Sequence, residues 1–302
     1  MHILLTGGTG LIGRALCRQW TAAGHQLSVL SRDPGRVARE CGPGVRGIAR
    51  LEELGDEPLD AVVNLAGAPI ADKPWTRSRK AELWESRIGT TERLVDWLRG
   101  RSQKPAVLLS GSATGFYGDS GEKPVSETDN LAGPDFAGEL CLAWEQMANE
   151  AEKLGIRVVN LRTGLVLAAD DGFLLRLLPP FRFGLGARLG NGRQWMPWIH
   201  LQDQIGAIDF LLNRSDAQGP YNLCAPQPVR NRDFTEALGR ALRRPARLLI
   251  PAFALRLMGE LSILLLGGQR ARPERLLEAG YVFRYPELDE ALANLLAAKD
   301  SR

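Results

Sequence analysis

Apolar residues along this chain fall into two alternating patterns. Residues 2–6 (His-Ile-Leu-Leu-Thr), 26–31, 60–65 (Asp-Ala-Val-Val-Asn-Leu), 105–110 (Pro-Ala-Val-Leu-Leu-Ser) and 156–161 are apolar runs of strand length. Between them lie helical stretches: 11–23, stopped by Gly24, then 76–99 and 136–154. In the last of these Phe136, Leu140, Trp144, Met147, Ala151 and Leu154 recur at spacings of three and four and form one apolar stripe. Strands alternating with helices predict an α/β fold, a doubly wound parallel sheet with helices on both faces.

The alternation weakens after residue 170, where Pro179-Pro180 is followed by Gly184, Gly186, Gly190 and Gly192. The expected organisation is therefore a first domain over 1–170 and a smaller C-terminal lobe over 171–302. Residues 200–225, with a helix at 201–212, return to the first domain, and 245–298 form a helical tail. Residues 248–267 are the most apolar late stretch, but Arg256 and Glu260 lie within it. That predicts a buried amphipathic helix rather than a membrane span. Its core, 252–266, is a candidate for covering the lobe or for pairing with a second copy in a homodimer.

Composition narrows the function. A net charge of +3 with no basic run of five or more gives no sign of a nucleic-acid partner. No membrane partner is expected either. Cys17, Cys41, Cys141 and Cys224 are scattered, and His2, His25 and His200 are far apart. Neither set has the spacing of a metal site or a disulfide framework. With no basic segment before a long apolar run at the N-terminus, the expectation is a cytoplasmic protein with reduced core cysteines.

The chemistry begins at the first turn. Gly7, Gly10 and Gly13 form a G-x-x-G-x-x-G set between a strand and a helix. One glycine permits the tight turn, one lets backbone approach a pyrophosphate, and one lets the helix pack on the strand. Helix N-terminal amides then face the phosphates, with Thr9, Leu11 and Ile12 in the turn. The second strand ends in Ser31-Arg32, where the adenosine ribose is read. A guanidinium and a hydroxyl favour a 2′-phosphate and hence NADP(H). Asp33 follows and offers the alternative contact to a 2′-hydroxyl.

These residues resemble the extended short-chain dehydrogenase/reductase superfamily, in its NAD-dependent epimerase/dehydratase branch, which has the Rossmann fold. Thr6 to Gly13 is similar to its opening motif, Asn64-Leu65-Ala66-Gly67 to its segment after the fourth strand, and Ser110 to Gly118 to its serine-bearing fifth strand end. Trp144-Glu145, Pro197-Trp198-Ile199-His200 with Asp203, and the tail from Gly268-Gln269-Arg270 to Phe283-Arg284-Tyr285-Pro286 resemble the YfcH-type epimerase-family proteins, which carry a small C-terminal domain of their own. The resemblance covers essentially the whole chain. It implies cofactor contacts at Leu65, Ala66, Gly67, Glu82, Arg87, Ser110 and Leu165, and a small-molecule substrate.

One departure bears on mechanism. The superfamily commonly uses Tyr-x-x-x-Lys with a serine as its acid/base. Aligned on Glu145, Ala137 and Cys141 stand where the tyrosine and lysine would be, and none of the four tyrosines has a lysine four residues on. Ser112 and Tyr117 are the candidate catalytic groups. Cys141 and His200 are weaker substitutes, and Arg193, Trp198 and His200 are candidate substrate contacts. Two functions remain open at this level. One is an oxidoreductase or epimerase acting on a small carbonyl or sugar-like substrate. The other is a non-catalytic NADP(H)-binding regulator.

Overall fold

In the computed structural model, which describes residues 1–300, seven strands form one sheet. They are β1 (His2–Thr6), β2 (Gln26–Leu30), β3 (Arg46–Ile48), β4 (Ala61–Asn64), β5 (Val107–Ala113), β6 (Arg157–Thr163) and β7 (Gly219–Leu223). Their spatial order is β3-β2-β1-β4-β5-β6-β7, and every pairing is parallel. Strands buried on both faces read as continuous apolar runs, which is why β1, β4 and β5 are visible in the sequence. Leu4, Val62, Leu108 and Val158 stand in register and point into one core layer, while Leu5, Val63, Leu109 and Val159 point into the other. Two strands escape the sequence pattern. β3 lies at the sheet edge as Arg-Gly-Ile, and β7 as Gly-Pro-Tyr-Asn-Leu, so neither forms an apolar block.

Eight helices of eight or more residues are present among the described residues. They are α1 (Leu11–Ala22), α2 (Arg77–Trp84), α3 (Thr90–Gly100), α4 (Phe136–Asn149), α5 (Gly172–Arg182), α6 (Leu201–Asn213), α7 (Asn231–Ala241) and α8 (Leu288–Asp300). The predicted helix at 76–99 forms, but a π turn at Glu85–Gly89 splits it into α2 and α3. Such turns insert one extra residue and re-aim side chains. α5 carries Pro179 and Pro180 in its last turn, within the stretch where the sequence alternation weakens.

Residues 248–267 do not form the expected buried amphipathic helix. The chain breaks into a strand (Leu248–Ile250), a short helix (Ala252–Arg256), a 3₁₀ turn (Gly259–Ser262) and a second short helix (Ile263–Leu266). Pro251 interrupts the first junction, and Gly259, at φ +65°, interrupts the second. Only Leu255 and Leu261 of this stretch are fully buried.

The last part of the chain is latched to the N-terminus of α6. Asp203 is fully buried, and its carboxylate accepts from the amides of Arg284 (2.7 Å) and Tyr285 (2.9 Å). The Tyr281 hydroxyl donates to the Asp203 carbonyl at 3.0 Å. His200 caps α6: its Nδ1 accepts from the Gln202 amide at 3.0 Å, leaving Nε2 to donate to Asn294 Oδ1 at 3.2 Å. Its ring stacks on Tyr285 with centroids 4.0 Å apart. Burial holds the His200 pKa below its ordinary 6.5, so the ring is kept neutral.

Two outcomes follow from the latch. Asp203→Ala leaves buried amides without an acceptor and is expected to lower stability by about 3 kcal/mol, measured by urea denaturation. Because the folded pKa of His200 is depressed, its contribution is complete above pH 6.5 and is lost as the pH falls through the folded value. Denaturation midpoints between pH 7.5 and 5 should therefore fall more steeply in the parent than in His200→Asn, which keeps a capping oxygen; equal slopes would refute the assignment.

Candidate functional site

The strand order reverses between β1 and β4, and the crevice beyond their carboxyl ends is where a doubly wound sheet receives a nucleotide. The glycine turn lines it. Gly7 has φ +69°, and a Cβ there would stand 2.5 Å from the Leu65 carbonyl oxygen. A Cβ on Gly13 would lie 2.4 Å from the Gly7 carbonyl oxygen, so α1 seats directly on the turn. Gly10 is exposed, and no side chain caps α1 there. Thr9, Leu11 and Ile12 are half-buried along the same turn. Open backbone at an uncapped helix N-terminus fits the pyrophosphate of a dinucleotide.

At the end of β2 the Ser31 hydroxyl donates to the Asp33 carbonyl (3.0 Å) and accepts from the Asp33 amide (3.2 Å), which fixes the local turn. Arg32 is exposed, and among the described residues its guanidinium has no hydrogen-bond or ion-pair partner. It is free to meet a phosphate.

The far wall is held by a buried polar network centred on Asn64. Its Oδ1 accepts from Thr6 (2.6 Å), and its Nδ2 donates to Thr91 (2.8 Å) and Ser110 (3.3 Å). The Trp144 indole also donates to Thr91, at 3.0 Å. Ser110 has no exposed surface, so its side chain supports Asn64 rather than facing the crevice. Leu65, Ala66 and Gly67 continue from β4, with the Ala66 amide donating to Thr6 Oγ1 at 3.1 Å. The π turn brings Arg87 beneath this loop, where Nη2 donates to the Ala68 carbonyl (3.0 Å) and the guanidinium lies 5.3 Å from the Trp144 ring. No carboxylate pairs with Arg87 among the described residues, and burial holds its pKa below the usual guanidinium value. Glu82 is placed differently. Its carboxylate accepts from the buried Arg79 (2.6 Å), which also binds Pro69 and Asp72, so Glu82 braces the loop at 69–72.

Further along the sheet, between α4 and β6, lies a buried ion pair. α4, N-capped by Asp135, turns Ala137, Cys141 and Glu145 into one row at four-residue spacing. β5 runs three residues past its expected end and carries Ser112 opposite that row. Ser112 donates to Glu145 Oε1 at 2.6 Å. Arg162, on β6, donates to both Glu145 oxygens, at 2.8 and 2.9 Å. Its remaining nitrogen donates to the Tyr117 hydroxyl (3.0 Å), which itself donates to Asn222 on β7 (2.8 Å). The guanidinium also lies 3.5 Å from the Phe116 ring centroid. Burial opposes the Arg162 charge, but the Glu145 hydrogen bonds and charge outweigh it and the pKa stands raised.

Three sequence expectations change here. Tyr117 is as buried as Ser112, 7% against 6% exposed, but its hydroxyl is engaged on both sides, accepting from Arg162 and donating to Asn222, and burial raises its pKa; this engagement, not burial, sets it apart from Ser112 and places it in the framework. Burial, with the Glu145 charge, pushes the Cys141 thiol up to about 11; it is a neutral neighbour of Ser112 and no replacement for a lysine cation. Trp198 and His200, read as substrate contacts, lie in the interior, 1% and 2% exposed. Arg193 is exposed on its loop with a free side chain, and Leu165 is half-buried just past β6, in register with Trp198.

Glu145 and Arg162 form a buried pair to which sequence spacing alone gives no role. The signal for both was present: a charged residue inside an apolar strand or helix stripe must find a buried partner.

The sequence pattern of the NAD dependent epimerase/dehydratase family matches residues 3–224, and that of DUF1731, a domain of unknown function, matches residues 250–295. The chain is 41% identical over 293 residues to the epimerase family protein Mb2239 of Mycobacterium bovis, covering 96% of each. It is 34% identical over 302 residues to the epimerase family protein YfhF of Bacillus subtilis, covering 98% of each. Among solved structures it is similar to human epimerase family protein SDR39U1 (isoform 2) with NADPH, at 33% identity and a TM-score of 0.88, covering 98% of this chain and 99% of that one. A UDP-glucuronic acid 4-epimerase from Bacillus cereus in complex with NAD shares the fold, with a TM-score of 0.79 at 17% identity, over 99% of each chain. Glycine turn, parallel sheet and C-terminal extension agree with these matches, and the chain belongs to the NAD dependent epimerase/dehydratase family.

Proposed function

We propose that this protein binds NADP(H) and acts as an oxidoreductase or epimerase on a small carbonyl or sugar-like substrate without a Tyr-x-x-x-Lys pair. The observation that carries the cofactor reading is the exposed, unpartnered Arg32 beside the uncapped glycine turn. The NADPH in the human relative supports the same preference over NAD. Gly7, Thr9, Gly10, Leu11, Ile12 and Gly13 receive the pyrophosphate, Ser31 and Arg32 the adenosine end, and Leu65, Ala66 and Gly67 the far wall. Arg87, which lacks an acidic partner, is a further anion contact, and Leu165 stands at the nicotinamide end.

When bound, the cofactor supplies or accepts hydride. The protein's own contribution centres on Ser112. Its single proton is held by Glu145 at 2.6 Å, so its lone pairs are free to accept from a substrate hydroxyl. A proton leaving that hydroxyl passes to Ser112 as the serine proton passes to Glu145. Arg162 fixes the carboxylate in place, and a held geometry is what makes such a transfer effective. Arg193 is the candidate group for a polar or anionic portion of the substrate.

A second reading, a non-catalytic NADP(H)-binding regulator, is favoured by one observation: the row Ala137, Cys141, Glu145 holds no tyrosine or lysine. In that case ligand binding biases a partner-binding state.

Fluorescence titration separates NADPH from NADH. Arg32→Ala is expected to weaken NADPH by roughly tenfold or more, the scale of a charge-assisted contact, while leaving NADH nearly unchanged. Equal loss for both would remove the 2′-phosphate assignment. Against a panel of carbonyl compounds, Ser112→Ala should abolish turnover without changing NADPH affinity, whereas Tyr117→Phe should retain turnover and lose about 1 kcal/mol of stability. An intact nucleotide site with no turnover by the parent protein on any compound moves the assignment to the regulator.

A further inference from the structure

Two stretches of the chain contain no Asp or Glu: residues 172–202 and 237–259. Together they hold nine arginines, against a whole-chain excess of three positive charges, so the rest of the chain is net negative. The fold brings the two stretches to one face. Strand Leu248–Ile250 pairs in parallel with Ala187–Leu189, the Leu248 amide donates to the Gly186 carbonyl (3.1 Å), and the Gly190 amide donates to the Ile250 carbonyl (2.9 Å). Pro245 lies against Gly184, and Ala246 against Gly186.

This face is also apolar. Phe183 is 82% exposed, Leu185 56%, Leu248 49%, Phe253 72%, Leu257 86% and Met258 41%. Single exposed leucines are ordinary, but six large apolar side chains exposed along two stretches joined by strand pairing mark a surface that is covered by something else. Arg182, Arg188, Arg243, Arg244, Arg247 and Arg256 stand among them, all exposed, and none of their guanidinium groups has a partner among the described residues. The outermost turn is firmly based. Leu255 and Leu261 are buried beneath it, and Lys80 on α2 pairs with Glu260 just beyond.

We propose that this face docks on an anionic lipid surface, with Phe253 and Leu257 entering the acyl boundary and the arginines meeting headgroup phosphates. Protruding aromatic and aliphatic side chains flanked by unpaired arginines match both layers of such an interface. Two-fold pairing with a second copy would instead set the same unpaired cations against one another. No helix among the described residues is long and apolar enough to cross a membrane, so the association is peripheral. The proposal revises the expectation of no membrane partner, which considered only a spanning segment. It does not depend on the enzymatic reading.

The test is sedimentation of the full chain with phosphatidylcholine vesicles, with and without phosphatidylglycerol. The protein should sediment with the anionic vesicles only and be released by high salt. The double variants Phe253→Ser/Leu257→Ser and Arg244→Glu/Arg247→Glu should each lower partitioning by about tenfold or more. All four side chains are exposed, so an unchanged circular dichroism spectrum and melting temperature are the folding control. Absence of binding to anionic vesicles, equal binding to neutral ones, or unchanged binding by both variants overturns the proposal. Self-association in the ultracentrifuge that Leu257→Ser abolishes, without vesicle binding, would assign the face to a second copy instead.

Discussion

The buried pairing of Arg162 with Glu145 is the interaction on which the rest of the site depends. A guanidinium and a carboxylate removed from water are tolerated only when their donors and acceptors are satisfied. Here every atom of the pair that could be left idle is occupied. Ser112 donates to the carboxylate, Tyr117 receives the third guanidinium nitrogen, and Phe116 lies under the charged plane. The pair thereby joins α4, β5 and β6 and reaches β7 through Asn222. Removing one partner strands the other, a loss of about 3–5 kcal/mol by the behaviour of buried pairs in general. The guanidinium also holds the carboxylate that accepts the Ser112 proton at a fixed place.

The same network explains why the C-terminal part of the chain is bound to the nucleotide domain. Asn222 donates through Nδ2 to the Arg272 carbonyl (2.9 Å), and its amide donates to buried Glu127 (2.8 Å). Glu127 in turn faces the Arg275 amide. A few residues away, Asp203 and His200 hold the loop at 281–285. The resemblance pairs Pro-Trp-Ile-His-x-x-Asp with a distant Phe-Arg-Tyr-Pro, and the structure supplies the physical link, since one motif caps α6 and receives the backbone of the other. The region matched by DUF1731 is in this way held directly to α6 and β7.

Much of the fold is legible in the sequence because its signals are local. β1, α1 and the glycine turn combine an apolar run, three glycines and a helical stop at Gly24 within a single short segment. β3 and β7 are not legible, since pairing at or near the sheet edge, not apolar content, makes them strands. The site divides the same way. Arg32 is singled out by its position after β2, and the structure leaves it exposed, but Tyr117 and His200 cannot be assigned from position. A polar aromatic beside a predicted pocket looks the same whether its hydroxyl or ring faces substrate or closes a buried network. The partner of Glu82 is equally hidden from the sequence, because Arg79 is set by the way α2 folds over the loop at 69–72. The segment at 248–267 reads as one buried helix from composition, yet Pro251 and Gly259 break it, and six of its large apolar side chains stay exposed.

The most direct test of the account is a crystal structure of the protein with NADPH. The account predicts the 2′-phosphate on Arg32, the pyrophosphate along Gly7 to Gly13, and the nicotinamide beside Ser112 with the Glu145–Arg162 pair intact behind it. A nucleotide bound elsewhere, or one whose nicotinamide lies away from Ser112, would contradict it.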